Sequence, residues 1–356
     1  MSISEEVQKY RQEIKSERMD MSFGEIINMY RDHEIIISPE YQRAFRWDEN
    51  RQTDFIESIL LGIPFPSIFV ATNPDGKWEL IDGLQRVSTV LAFFGELIDE
   101  AGNSYPKNNL QLTEGSLIKG LKGCTINELP LEYKLQIKRT PCRVEIILKE
   151  SDFKMRYELF KRLNTGGEGL SRQEIRNCIF RGLDSKYNDF VTELSNNKYF
   201  QELVIISEAQ SEMMYYDELV LRYLTLKNSG TRYTQANIQD CMDDYLKKQC
   251  EDFNEQQVSD DRIIFNTIME ILNGLKDRDV FKLGRRYFTT SMYDAIMLTL
   301  SDPVVDLKNL KVGILAERID ILKEDSDFKK YVGSASSNPT SITNKVQIAK
   351  RILIGE

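Results

Sequence analysis

Histidine is almost missing: His33 is the only one in 356 residues. Any histidine-dependent centre would have to draw on it, which argues against an HNH nuclease, a zincin or a His-metal triad in this chain. Cysteine is scarce too. Cys124, Cys142, Cys178, Cys241 and Cys250 are odd in number and nowhere spaced C-x-x-C, so they predict reduced, mostly buried thiols and no disulfide framework or zinc knuckle. No apolar run approaches the ~18 residues that span a bilayer, and residues 1–17 lack an apolar signal core, so a cytoplasmic protein with no membrane role is expected. Only 9 Pro and 19 Gly occur beside 41% hydrophobic residues, which excludes collagenous and disordered classes. Positive charge is in deficit, 47 basic against 56 acidic residues for a net −9, so a polyanion could be met only at a local basic patch.

At about 150 residues per domain the length predicts roughly two domains. Residues 1–20 are polar and helix-favouring, with Val7, Tyr10, Arg11 and Ile14 making a thin stripe, and read as an N-terminal helical arm. Ser22 and Glu25 have capping-box spacing for a helix through Met29. Strand signals follow at Ile35–Ile37, Ser67–Ala71 and Lys77–Ile81, the last two joined by Asn73-Pro-Asp-Gly76 as a hairpin. Between them Asp48 caps a helix stopped by Gly62 and Pro64, and after them Asp82-Gly83 opens a helix with Leu84, Val87, Leu91 and Phe94 at a period of 3 to 4. Residues 99–130 read as a connection, and Arg143–Leu148 as a strand returning to the sheet. From Ser151 the pattern is helical to the last helix at 341–353, which places a boundary near 150 and predicts an α+β chain. The domains expected are therefore 1–20, 21–150 and 151–356.

Three constellations could carry chemistry. In Pro39-Glu-Tyr-Gln-Arg-Ala-Phe-Arg-Trp47, Gln42, Arg43 and Arg46 put donors beside Tyr41, Phe45 and Trp47; such a loop can bind a nucleotide or be a solvated loop packed on its aromatics. In Ile81-Asp-Gly-Leu-Gln-Arg-Val-Ser-Thr89 a strand-to-helix junction offers backbone donors to an anion, with Gln85 and Arg86 adding side-chain donors and Asp82 available for a metal ion or water. The plainer alternative is a turn with Asp82 as cap. The third is Leu159-Phe-Lys-Arg-Leu-Asn-Thr-Gly-Gly-Glu-Gly-Leu-Ser-Arg-Gln-Glu-Ile-Arg-Asn177, where Ser171 and Glu174 have capping-box spacing. Residues 153–181 carry seven basic and three acidic side chains, which suggests either an anion-facing surface or a charged face laced by i,i+4 pairs.

Together these segments resemble the N-terminal domain of GmrSD-type restriction endonucleases, through Tyr41-Gln-Arg43, Ile81-Asp-Gly-Leu-Gln-Arg86, Phe160-Lys-Arg-Leu-Asn-Thr-Gly-Gly167 and Gln173-Glu-Ile-Arg-Asn177. The resemblance implies a ParB/sulfiredoxin-like α/β domain followed by a predominantly helical domain, in a bacterial anti-phage or restriction-type system. It also implies a nucleoside triphosphate, with or without Mg²⁺, at Gln42, Arg43, Arg46, Asp82, Gly83, Gln85, Arg86 and Thr89. Asp82 would be the catalytic candidate. The family has Gln where this chain has Leu84, so one donor is missing and slow turnover is expected.

Lys161, Arg162, Asn164, Thr165, Gly166, Gly167, Arg172 and Arg176, with Arg285 and Arg286, would form a DNA or anion surface of weak, salt-dependent affinity. The later tyrosines Tyr215, Tyr216, Tyr223, Tyr233, Tyr245 and Tyr287 read mainly as bundle core. Because the HNH nuclease commonly joined to such domains would find only His33 here, a sensor or regulatory subunit working with a separate effector is expected, with a homo-oligomer left open. The alternative is a non-enzymatic protein- or DNA-binding module with a vestigial nucleotide site.

Overall fold

The computed structural model describes residues 2–13, 15–37, 45–73, 75–98, 102–148, 151, 158–160, 162–163, 170–181, 185–275, 279–285, 288–333 and 336–355. They form two compact units, Met1–Cys178 and Ile179–Glu356.

The first unit is built on a five-stranded mixed sheet of order β1-β5-β3-β4-β2. The strands are β1 (Ser16–Ser22), β2 (Ile35–Ile36), β3 (Ile68–Thr72), β4 (Trp78–Asp82) and β5 (Pro141–Ile147). β3 and β4 are the hairpin strands read from the sequence, and the β-branched run at Ile35 forms the edge strand β2. β3 pairs antiparallel with β4 and parallel with β5, and β2 closes one edge parallel to β4. Around the sheet lie α1 (Ile3–Glu13), α2 (Phe23–Arg31), α3 (Glu49–Leu61), α4 (Leu84–Phe94), α5 (Leu131–Arg139) and α6 (Arg172–Arg181). The Ser22–Glu25 capping box forms at the start of α2, and Asp48 accepts the Arg51 amide at 2.9 Å at the start of α3.

The arm expected over residues 1–20 is corrected in its second half. Only residues 3–13 are helical; Ser16 to Ser22 pair antiparallel with all of β5, from Ser16 opposite Ile147 to Ser22 opposite Pro141. β1 is polar because it is an edge. Arg18 faces Glu145 at 2.8 Å and Asp20 faces Arg143 at 3.2 Å, cross-strand ion pairs that hold the register while charge deters pairing with another chain.

The second unit is helical in its described residues: α7 (Ser185–Ser195), α8 (Lys198–Leu203), α9 (Glu208–Glu212), α10 (Tyr215–Ser229), α11 (Ile238–Glu251), α12 (Glu255–Asn273), α13 (Thr290–Leu300), α14 (Val312–Glu324), α15 (Ser326–Lys330) and α16 (Pro339–Leu353). Helix α13 is buried from Ser291 to Leu300, as its apolar run requires. Tyr223, Tyr233 and Tyr245 are buried, and Phe265 packs against both Tyr223 and Phe200 with ring centroids 5.7 and 5.5 Å apart. These tyrosines are therefore core. Arg285 is exposed, while Arg286 and Tyr287 lie outside the described residues.

The division between the units falls later than the boundary expected near residue 150, between Cys178 and Ile179. The reason lies in α6, whose first residues are tied into the sheet unit by side-chain hydrogen bonds described below.

Candidate functional site

β4 leaves the sheet irregularly. Asp82 pairs with Phe69 but Leu80 with Val70, a register shift that turns the strand end just ahead of Gly83. Gly83 then takes a left-handed φ of 97° and becomes the N-cap of α4, with no side-chain cap. A Cβ here would lie 2.5 Å from Cγ2 of Ile68, so the close approach of strand and helix admits only glycine. The alternative in which Asp82 caps the helix does not form: the cap is Gly83. The first turn of α4, eleven residues long, carries the positive end of the helix dipole at this corner.

Asp82 instead takes part in an i,i+4 ion pair, its Oδ2 3.1 Å from Nη2 of Arg86. The same guanidinium donates to the carbonyls of Pro66 and Ser67, the latter at 3.2 Å, and so fastens α4 to the entrance of β3. Gln85 holds the other side. Its Oε1 accepts the backbone N–H of Arg46 at 3.1 Å and of Trp47 at 3.0 Å. Thr89 is fully buried and donates to the Gln85 carbonyl at 2.6 Å, a role within the helix. Leu84 is buried, so this position of the first turn gives an apolar side chain to the core.

Residues 45–47 are consequently a hub. Nζ of Lys107 donates to the Phe45 carbonyl at 2.6 Å and sits 4.7 Å from the centre of the Phe45 ring, where burial pulls its pKa down. Nε2 of Gln52 donates to the Trp47 carbonyl at 2.8 Å. The Arg46 guanidinium reaches Glu174 at 3.1 Å, with side-chain exposures of 21% and 1%. Glu174 also completes the capping box expected with Ser171, accepting its N–H at 2.6 Å and donating its own N–H to Oγ at 3.1 Å. Burial pushes the Glu174 carboxyl pKa up, opposed by the Ser171 hydrogen bonds and by Arg46.

The structure brings Arg46, Asp82, Gly83, Gln85 and Arg86 together at one corner. Gln42 and Arg43 lie outside the described residues, as do Lys161, Asn164, Thr165, Gly166 and Gly167. Arg162 is exposed and stands 4.0 Å from Glu158, and Arg172 is half-buried. The assignment of Arg176 to an anion-facing surface is corrected. Its side chain is fully buried and donates to Oε1 of Gln173 at 3.1 Å, while Gln173 donates to Asn177 at 2.8 Å, so it supports α6 from within and offers nothing to DNA. Lys107, Gln52 and the Arg46–Glu174 pair were missed in the sequence. Lys107 sits in the 99–130 connection, where only Tyr105-Pro-Lys107 beside a loop of aromatics gave any signal.

Among the described residues no cluster of three or more His, Cys, Asp or Glu side chains could hold a metal ion. The α4 terminus carries no side-chain cap; the Arg86 guanidinium stands beside it paired with Asp82, while the Arg46 guanidinium is turned to Glu174. Residues 23–181 match the family model for the GmrSD restriction endonuclease, N-terminal domain. This segment is similar to the GmrSD N-terminal domain. Neither the curated proteins nor the solved structures contain a match to the chain. The matched span begins with α2 and ends with α6, so β1 pairs with the sheet from outside it. Among the described residues no helix is long and apolar enough to cross a membrane.

Proposed function

We propose that this chain serves a restriction-type defence system as a nucleotide-binding, DNA-associated sensor acting with a separate effector nuclease. The observation that carries the reading is the α4 N-terminus: a left-handed Gly83, no capping side chain, the Arg86 guanidinium paired to Asp82 beside it, and Arg46, whose backbone N–H is held by Gln85 and whose guanidinium now lies on Glu174. Amides at such a terminus, with its dipole, favour a polyphosphate. Arg86 would exchange part of its contact with Asp82 for phosphate, which frees the carboxylate to orient a water or to share a Mg²⁺ ion with the phosphates. Bound Mg²⁺ would supply charge neutralisation. With Leu84 in place of an amide, turnover should be slow.

Calorimetry with ATP, GTP, CTP and UTP in Mg²⁺ tests this. Losing one charge-assisted hydrogen bond costs about 1.5–3 kcal/mol, so Arg86→Ala should weaken binding roughly 10- to 100-fold, and Arg46→Ala comparably. Unchanged affinity in both variants refutes the assignment. DNA binding should be weak and salt-dependent, through cations of the first unit such as exposed Arg162 and half-buried Arg172, each phosphate contributing about −0.9 to the log–log salt slope.

A second reading has one observation in its favour: Gln85 and Arg86 already donate to, or accept from, the protein's own main chain. On that reading the motif is a latch and the domain a non-enzymatic module. The same titration decides it, because a latch gives no heat with any nucleotide.

A further inference from the structure

A groove of about 670 Å³ runs between the start of α3 and residues 106–113, and its near wall is Arg46 and Trp47. Those two residues hang by their N–H groups on Gln85 in the first turn of α4, so groove and helix terminus adjoin. Resting on the nucleotide reading above, we propose that this groove receives the nucleoside part of the bound nucleotide, with the base on Trp47 and its polar edge on the amides of Asn50 and Asn109.

The charge balance favours a neutral occupant. Arg46 and Lys107 in the groove are offset by Asp48 and Glu49, and Lys107 already serves the Phe45 carbonyl. A groove with no net charge does not gather a polyanion, but it suits a neutral, hydrogen-bonding ring. Arg46 stands on the wall nearest α4, where the phosphates would begin.

The polar groups present point to the same occupant. Asn50 and Asn109 are exposed, and neither makes a side-chain hydrogen bond among the described residues. Carboxamides offer a donor and an acceptor together, the pattern that base edges pair with. By contrast Asn108 is committed, its amide bonded both ways to Leu97 and to Ser104. Asn109 holds a left-handed φ of 58°, with its N–H bonded to the Ala92 carbonyl, so its position is fixed by the backbone. Trp47 is half-buried and braced edge-on by Phe55 at 5.9 Å, which leaves a preset indole rather than a loose one.

The test compares a nucleoside triphosphate, inorganic tripolyphosphate and a short DNA duplex by calorimetry on the full chain. The nucleotide is expected to bind 10-fold or more tighter than tripolyphosphate, with unequal affinities among the four bases. Trp47→Ala should reduce nucleotide affinity about 10- to 100-fold, the scale of one lost base stack, and leave tripolyphosphate unchanged. Two surface variants keep the test open should Trp47→Ala fail to fold: Asn50→Ala, and Asn109→Gly, which retains the left-handed backbone. Each should flatten the base preference. Equal affinity for nucleotide and tripolyphosphate overturns the groove and leaves the phosphate site standing, whereas no binding of either overturns both. Weakened duplex binding in Trp47→Ala, with the nucleotide-to-tripolyphosphate ratio unmoved, would assign the groove to a base extruded from DNA and overturn the proposal.

Discussion

Gly83→Ala imposes two separate costs, and the structure supplies a control for one of them. A left-handed backbone costs an L-residue about 1–2 kcal/mol, and Gly83 has φ 97°. The added methyl would also lie 2.5 Å from Cγ2 and 3.0 Å from Cβ of Ile68, a buried β-branched side chain that cannot swing aside. Overpacking of this kind costs about 1–3 kcal/mol. Gly62, the C-cap of α3, has φ 72°, but a methyl there would meet nothing within 4 Å, so Gly62→Ala should carry the backbone cost alone. The expected gap between the two variants is therefore about 1–3 kcal/mol. Urea unfolding followed by tryptophan emission measures it cleanly, because both tryptophans, Trp47 and Trp78, belong to the first unit. Ile68→Ala removes the methyl at 2.5 Å but keeps Cβ at 3.0 Å, so it should recover much, not all, of the Gly83→Ala excess over Gly62→Ala, read as a coupling energy in a double-mutant cycle. Equal losses for Gly83→Ala and Gly62→Ala would refute the close contact between β3 and the α4 terminus.

Other perturbations follow from individual contacts. Gln85→Ala strips the acceptor from two part-buried N–H groups and should cost about 1–3 kcal/mol, with faster hydrogen exchange at Arg46 and Trp47, whereas Gln85→Glu keeps the acceptor and most of the stability. In the helical unit Arg222 grips buried Asp294 through two bonds of 2.8 and 2.7 Å, so Arg222→Met should cost about 3–5 kcal/mol in chemical unfolding followed by circular dichroism. Lys345 is buried beside this pair, and burial, aided by Arg222 and opposed by Asp294, pulls its pKa down to about 8. The folded state therefore loses this proton before the unfolded state does. Relative to Lys345→Met, the parent should gain stability as pH rises from about 8 toward the free-lysine value near 10, by about 3 kcal/mol in all; a flat difference in melting temperature over that range would contradict the burial.

Much of the sheet unit was legible because its strands are apolar runs and its helices keep a period near 3.6. The bounds of β3, β4 and α4 differ from the sequence reading by a residue or two, and the Ser22–Glu25 and Ser171–Glu174 capping boxes form as their spacing predicts. β1 was not legible. Its sequence SERMDMS has no alternation to read, because the partner charges that hold it, Glu145 and Arg143, are more than a hundred residues away. Local pattern cannot report a strand whose pairing energy comes from elsewhere in the chain.

The site was half legible for a different reason. Spacing brought Asp82, Gly83, Gln85 and Arg86 to one turn, and composition identified them as donors and acceptors, but neither reveals what a donor faces. A guanidinium that suits two phosphate oxygens suits two backbone carbonyls equally well, and Arg86 holds those of Pro66 and Ser67. The same ambiguity misplaced Arg176: counted as surface charge, it is buried because Gln173 in the preceding turn supplies an acceptor. Arg46 escapes this because its partner Glu174 is a buried carboxylate whose pKa burial already raises, so the pair holds an anion that the interior disfavours. A polyphosphate at the α4 terminus would compete for the Arg46 cation and leave Glu174 to take up a proton. Nucleotide binding should then be accompanied by proton uptake, measured as a dependence of calorimetric heat on buffer ionisation enthalpy. That uptake should vanish in Glu174→Gln, and binding with no buffer dependence in the parent would show that Arg46 stays on Glu174 throughout.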